Sequence, residues 1–184
     1  MNKVDIRFKK SEMELLQSLI GQEIQSISHD AFLYVNSSSQ IVQINSDNDV
    51  YYLYSFTEPL NYLGSTEDVA IWSFETRRYP AVDNKNFIQT PFMEKVKSIS
   101  VVQENQRLYR NNEQIYDLWL TRALIFNFEE RQLSFEKAIW FSEDIYIRRG
   151  YNLIHELAPV DNFINNDWDD TITAECSRKV IKIH

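Results

Sequence analysis

From Val96 to the C-terminus the sequence is a succession of short apolar, β-branched and aromatic runs separated by a few polar residues, and this spacing constrains the fold more than any other feature. Runs at Val96–Val102, Arg107–Arg110, Gln114–Trp119, Leu124–Phe128, Gln132–Glu136, Asp144–Arg148 and Thr171–Ile183 read as strands, with Asn105, Asn111-Asn112 and Glu129-Glu130 at the turns. A parallel crossover needs a dozen or more residues, usually a helix, and most of these gaps are far shorter. The pattern predicts antiparallel meanders rather than βαβ units.

The N-terminal part opens differently. Ser11-Glu12-Met13-Glu14 has the Ser-x-x-Glu form of a capping box, and Met13, Leu16 and Ile20 follow at helical spacing until Gly21 supplies a stop. Ile41–Asn45 and Val50–Tyr54 then flank the polar turn Ser46-Asp47-Asn48-Asp49 and predict a β-hairpin. Thr57-Glu58-Pro59 combines a capping hydroxyl, an acid and an early proline, and predicts a short second helix ending at Gly64. Asp68–Glu75 carries apolar residues on both alternating faces, as a covered central strand would. Residues 76–92 lack periodicity and read as a loop, while Tyr151–Leu157 and Val160–Ile164 read as short helices.

These elements give one domain spanning residues 1–184, with possible halves at 22–76 and 93–184 around the 76–92 loop. The fold class is α+β or mainly β: antiparallel meanders in a sandwich, roll or partly closed barrel with a few short helices. Two echoes point to an internal duplication. Ile24–Ser28 is similar to Val96–Ser100, and Glu67–Ile71 to Glu143–Ile147.

A formal net charge of −8, with no third of the chain basic, argues against a nucleic acid partner, which rewards clustered cations. The one cysteine, Cys176, forms no internal disulfide, the first twenty residues lack the apolar core of a secretory signal, and no run reaches membrane-spanning length. The expected location is the cytoplasm. Gly21, Gly64 and Gly150 are the only glycines, so no Walker loop, dinucleotide fingerprint or nucleophile elbow can be written, and no cofactor is expected. His155-Glu156 lacks the second histidine of a zinc helix, and no metal site is expected.

Candidate functional residues fall into two groups. Asp161, Asp167, Asp169 and Asp170 surround Phe163 and Trp168 in an acidic, aromatic loop that would suit a protein-binding edge, the carboxylates steering a basic partner toward the ring. His29-Asp30 and His155-Glu156 are the alternative, as acid–base pairs in a pocket between β layers. Cys176 alternates with Ile172 and Ala174 on an inward face, where a free cysteine behaves as a small hydrophobe; the alternative is a reactive thiol whose pKa Arg178, two positions on, would lower.

Trp140–Tyr151, with 21–30 and 67–75 before it and 174–183 after it, resembles a family of small uncharacterised cytosolic proteins from Gram-positive bacteria, over most of the chain. The resemblance implies a bacterial cytosolic protein and carries no activity or catalytic residues. The expected function is a non-enzymatic protein-interaction, accessory or immunity-type module with an unidentified protein partner, and homodimerisation is a further possibility. The alternative is a hydrolase or small-molecule binder.

Overall fold

The computed structural model describes residues 2–30, 39–62, 65–77, 87–138 and 142–184. The expected hairpin is present as β3 (Ser39–Ser46) and β4 (Val50–Tyr62), joined through a turn in which the Ser46 hydroxyl accepts from the Asp49 amide at 3.0 Å. The strand β4 does not stop at Thr57. It runs through Glu58 and Pro59 against β5 (Ser65–Arg77) in an unbroken antiparallel ladder from Val50↔Arg77 to Tyr62↔Ser65. The helix expected at Thr57-Glu58-Pro59 is therefore absent: a thirteen-residue partner strand supplies this backbone with bonds that a two-turn helix could not match.

Two strands complete this sheet, β2 (Glu23–Asp30) and β6 (Phe87–Lys95), giving the order β5-β4-β3-β2-β6, so Asp68–Glu75 lies in an edge strand and not the expected central one. Its two apolar faces serve two separate clusters, Trp72 and Phe74 in one and Val69 and Ile71 in the other. The ends of the expected 76–92 loop thus belong to strands, and 78–86 lie outside the described residues. The second sheet contains β7 (Ser98–Arg110), β8 (Glu113–Asn127), β9 (Gln132–Lys137), β10 (Ile145–Gly150) and β11 (Ile172–Ile183) in the order β10-β9-β8-β7-β11. Asn105 is not a turn residue but lies mid-strand in β7, and β8 fuses two of the expected runs. Both strands exceed what local pattern suggested because they pair with each other along nearly their whole length.

The two sheets have the same topology. A four-stranded meander is followed by a fifth strand that returns to pair with the first, and the order of one sheet becomes that of the other when every strand advances by five. The sequence echoes fall on equivalent elements, one on β2 and β7, the other on β5 and β10.

Outside the repeat, β1 (Asn2–Ile6) lies parallel to β8 along the stretch that β9 leaves unpaired. The helix α1 (Lys10–Ser18) begins one residue before the Ser11 start, with the Glu12 carboxylate accepting from the Lys9 amide at 2.6 Å. The second Glu12 oxygen accepts from the Phe74 amide on β5, fastening the helix to a sheet edge. A single 3-10 turn, Leu153–Glu156, and the one-turn α2 (Asp161–Ile164) link β10 to β11.

Leu16 and Leu19 from the α1 end of the chain, Ile24, Ile27, Val42, Ile44, Leu53, Trp72 and Phe74 from the first sheet, and Ile99, Val101, Leu124, Phe126 and Phe135 from the second form one buried cluster between the layers. At about 25 cal/mol per Å² of apolar surface, this shared interior is what holds the sheets face to face. No helix among the described residues is long and apolar enough to cross a membrane.

Candidate functional site

The chain begins with strict alternation: Val4 and Ile6 on one face of β1, Lys3, Asp5 and Arg7 on the other. Val4 and Ile6 pack with Leu108, Tyr116, Leu118 and Leu120, which turns Asp5 and Arg7 toward the opposite side of the sheet. There Arg7 grips Asp5 through Nε at 2.8 Å and Nη2 at 2.5 Å and lies over the Trp119 ring at 4.6 Å. The guanidinium holds the Asp5 carboxyl below its ordinary range, and the carboxylate holds Arg7 above its own. One residue on, the Phe8 amide donates to Thr121 Oγ1 at 2.9 Å and anchors the link into α1.

This link walls a recess of about 510 Å³ whose other sides are Gln103 of β7 and Lys179 and Ile181 of β11. A bulge in the β7–β8 ladder, between Val102 and Gln103, sets the position of Gln103. Lys9 and Lys179 are exposed at the rim, and neither makes an ion pair among the described residues. The recess holds three cations and one carboxylate, in a protein whose charge is −8.

Further along the same edge strand is a second cavity, of about 290 Å³, lined by Asn105, Arg107, Ile164 and Ala174–Ser177. Its polar groups are committed to one another. Asn105 donates to Asp117 at 2.6 Å, Arg107 stands 3.8 Å from Asp117 and 4.0 Å from Glu175, and the Tyr109 hydroxyl bonds Glu175 at 3.0 Å. Cys176 is half-buried, and burial together with the Glu104 charge pushes its thiol up to about 12 against the weaker opposing pull of Arg178 and Arg122. The thiol is thus protonated at neutral pH, as suits a cysteine acting as a small hydrophobe, and the alternative of activation by Arg178 is not met.

Arg178 is engaged elsewhere, in a charge ladder that crosses the second sheet. In spatial order the strands contribute Arg148 from β10, Glu136 from β9, Arg122 from β8, Glu104 from β7 and Arg178 from β11. The signs alternate. Arg148 and Arg122 donate to opposite oxygens of Glu136 at 2.5 and 3.0 Å, and Arg178 donates to Glu104 at 2.6 Å. The Ala158 amide donates to Glu136 and the Ala158 carbonyl accepts from Arg178, so the β10–β11 connection is tied to the sheet at both ends of one residue. These carboxylates are fully partnered and sealed from solvent, which suits a brace better than an acid or base.

Lys137 faces the other way from Glu136. It is fully buried, donates to the Ala70 carbonyl of the first sheet, and lies 5.6 Å from the Trp72 ring. Burial and the Arg122 charge pull its pKa down to about 7.

The residues singled out from sequence do not converge. Asp161 opens α2, whereas Asp167, Asp169 and Asp170 lie in the turn before β11. Asp169 accepts from the Thr171 amide and hydroxyl at 2.8 and 2.7 Å. Trp168 is half-buried, donates its indole N–H to the Phe163 carbonyl at 2.9 Å, and packs edge-on against the Phe163 ring. His29 is half-buried on β2, with Asp30 the last residue of that strand, while His155 and Glu156 are exposed on the 3-10 turn over the other sheet. None of these residues lines either cavity. Gln103 and Lys179 were missed because each looks ordinary alone; the signal is the β11↔β7 register that makes them direct partners.

Comparison with protein-family models, with curated proteins and with solved structures returns no match.

Proposed function

We propose that the protein is a non-enzymatic binding module that receives an extended acidic segment of a protein partner along the edge of β11. The observation that carries this reading is the placement of both cavities beside one twelve-residue strand that, among the described residues, is paired on one side only, with Ala174–Ser177 lining one cavity and Lys179 and Ile181 the other. A strand added there gains main-chain hydrogen bonds, and its alternate side chains fall toward the recesses. The charge of the edge selects the occupant. Lys179 and Lys182 are exposed on this strand, and Lys9 and Arg7 share the recess with Lys179, so acidic side chains are favoured and basic strands repelled. Edge lysines also deter indiscriminate pairing, which keeps such a surface selective. The resemblance of Trp140–Tyr151 to Gram-positive proteins suggests a bacterial cytosolic setting for the partner.

The test uses a synthetic decapeptide of alternating glutamate and valine, its lysine–valine counterpart, and a glutamate–valine form N-methylated at every second residue. Amide NMR spectra of the full chain should shift saturably along β11 with the first peptide alone. Shifts confined to another face, or equal binding by the N-methylated form, would overturn strand addition.

A further inference from the structure

We propose that the recess between the β1–α1 link and β11 is a binding site for an oxyanion group carried by a small organic ligand, either a phosphate ester or a carboxylate. The central observation is Gln103. The residue is 7% exposed overall, it lines the recess, and no protein group among the described residues bonds its amide, which stays open to the solvent of the recess. An amide held on a largely buried side chain and bonded only by solvent in a recess is a donor that a ligand can take over at little reorganisation cost.

Three further features give that donor its company. Lys9 and Lys179 stand at the rim with their charges unpaired among the described residues. Arg7 spends Nε and Nη2 on Asp5 and keeps Nη1 available. The helix α1 starts at the same rim: the Glu12 and Met13 amides go to the Lys9 carbonyl, and those of Lys10 and Ser11 are left at the positive end of the helix dipole. The one carboxylate of the lining, Asp5, is neutralised by Arg7, so three cations against one anion leave an excess of two positive charges.

Size and walls set the ligand class. A volume of about 510 Å³ exceeds what a bare inorganic anion fills, and Phe8 and Ile181 add apolar wall beside the polar floor. The occupant is an acid with a short carbon body, its oxyanion held by the Gln103 amide and the rim lysines. Here the site goes beyond the strand-addition reading and does not depend on it, because free anions probe it without any peptide.

The experiment titrates the full chain with succinate and with glycerol phosphate, against sodium chloride at matched ionic strength, following backbone amides and the Gln103 side-chain N–H₂ signals. Saturable shifts at Gln103, Lys10 and Ser11 are expected with an acid and not with chloride. Response to one acid alone assigns the ligand to that source, and response to both assigns a general oxyanion site. The exposed double variant Lys9→Gln/Lys179→Gln should weaken binding about tenfold or more with the fold intact, as loss of charge-assisted bonds implies, and Gln103→Leu should abolish it. Absence of saturation with both acids, or undiminished affinity in the double lysine variant, would overturn the proposal and leave strand addition to its own test.

Discussion

Replacing Lys137 by methionine should make the protein more stable at neutral pH, and the advantage should disappear as the pH rises. The ammonium is buried between the sheets, where burial and the neighbouring Arg122 lower its pKa from 10.5 to about 7. In the unfolded chain the group regains its ordinary value, so between pH 7 and 10.5 the unfolded state binds the extra proton. Stability of the native protein therefore rises with pH through that window, by about 1.4 kcal/mol per pH unit and about 5 kcal/mol across it. Methionine has similar length and no proton to carry, so Lys137→Met removes the dependence. It also removes the donor to the Ala70 carbonyl, a loss of about 1 kcal/mol. At pH 7 the variant should be more stable by about 3 kcal/mol, and the difference should fall by about 1.4 kcal/mol per unit toward pH 10. Urea unfolding of both proteins at half-unit intervals from pH 6.5 to 10 measures this directly, and other titrating groups cancel in the difference. Parallel stability curves would refute the reasoning, since they would mean that Lys137 keeps its ordinary affinity for the proton in the folded state.

Glu136→Ala strands Arg122 and Arg148 and frees the Ala158 amide, so it should cost about 3–5 kcal/mol, measured by denaturant unfolding. Glu136→Ala should also raise amide exchange in the 151–160 connection more than elsewhere, because the ladder holds that segment at Ala158. Cys176 should react with iodoacetamide in the native protein far more slowly than a free thiol at pH 8 and match it once unfolded, its pKa of about 12 leaving almost no thiolate. Equal native and unfolded rates would show that the thiol is open and ordinary.

Much of the architecture was legible in the chain. The β3–β4 hairpin announced itself through its polar turn and the repeated topology through echoes that fall on equivalent strands, whereas apolar residues on both faces marked β5 as a covered strand but misplaced it at the centre of a sheet whose edge it forms. Thr57-Glu58-Pro59 misled because capping chemistry is local, whereas the pairing that overrides it belongs to a partner strand beyond Gly64. The strand β1 carried a clear alternation from Lys3 to Phe8 in a stretch read only for its lack of a leader peptide. The recess and the charge ladder were illegible for a different reason. Each joins residues from separate strands, and only the sheet order brings Arg148, Glu136, Arg122, Glu104 and Arg178 into line. The available hint was the placement of Arg122 and Glu136 inside strands otherwise rich in apolar residues.

The charge ladder has a consequence for how the second sheet finds its pairing. A strand displaced by two residues keeps its apolar side chains facing inward, so hydrophobic pattern alone barely separates the native alignment from that error. Sliding β9 by two against β8 would bring Ser134 to the place of Glu136, leave Arg122 facing a hydroxyl in a dry interior and take its carboxylate from the half-buried Arg148. The same slip of β11 against β7 would separate Arg178 from Glu104. Five alternating charges thus work as a proofreading key for the assembling sheet, penalising misaligned chains that oil alone would accept.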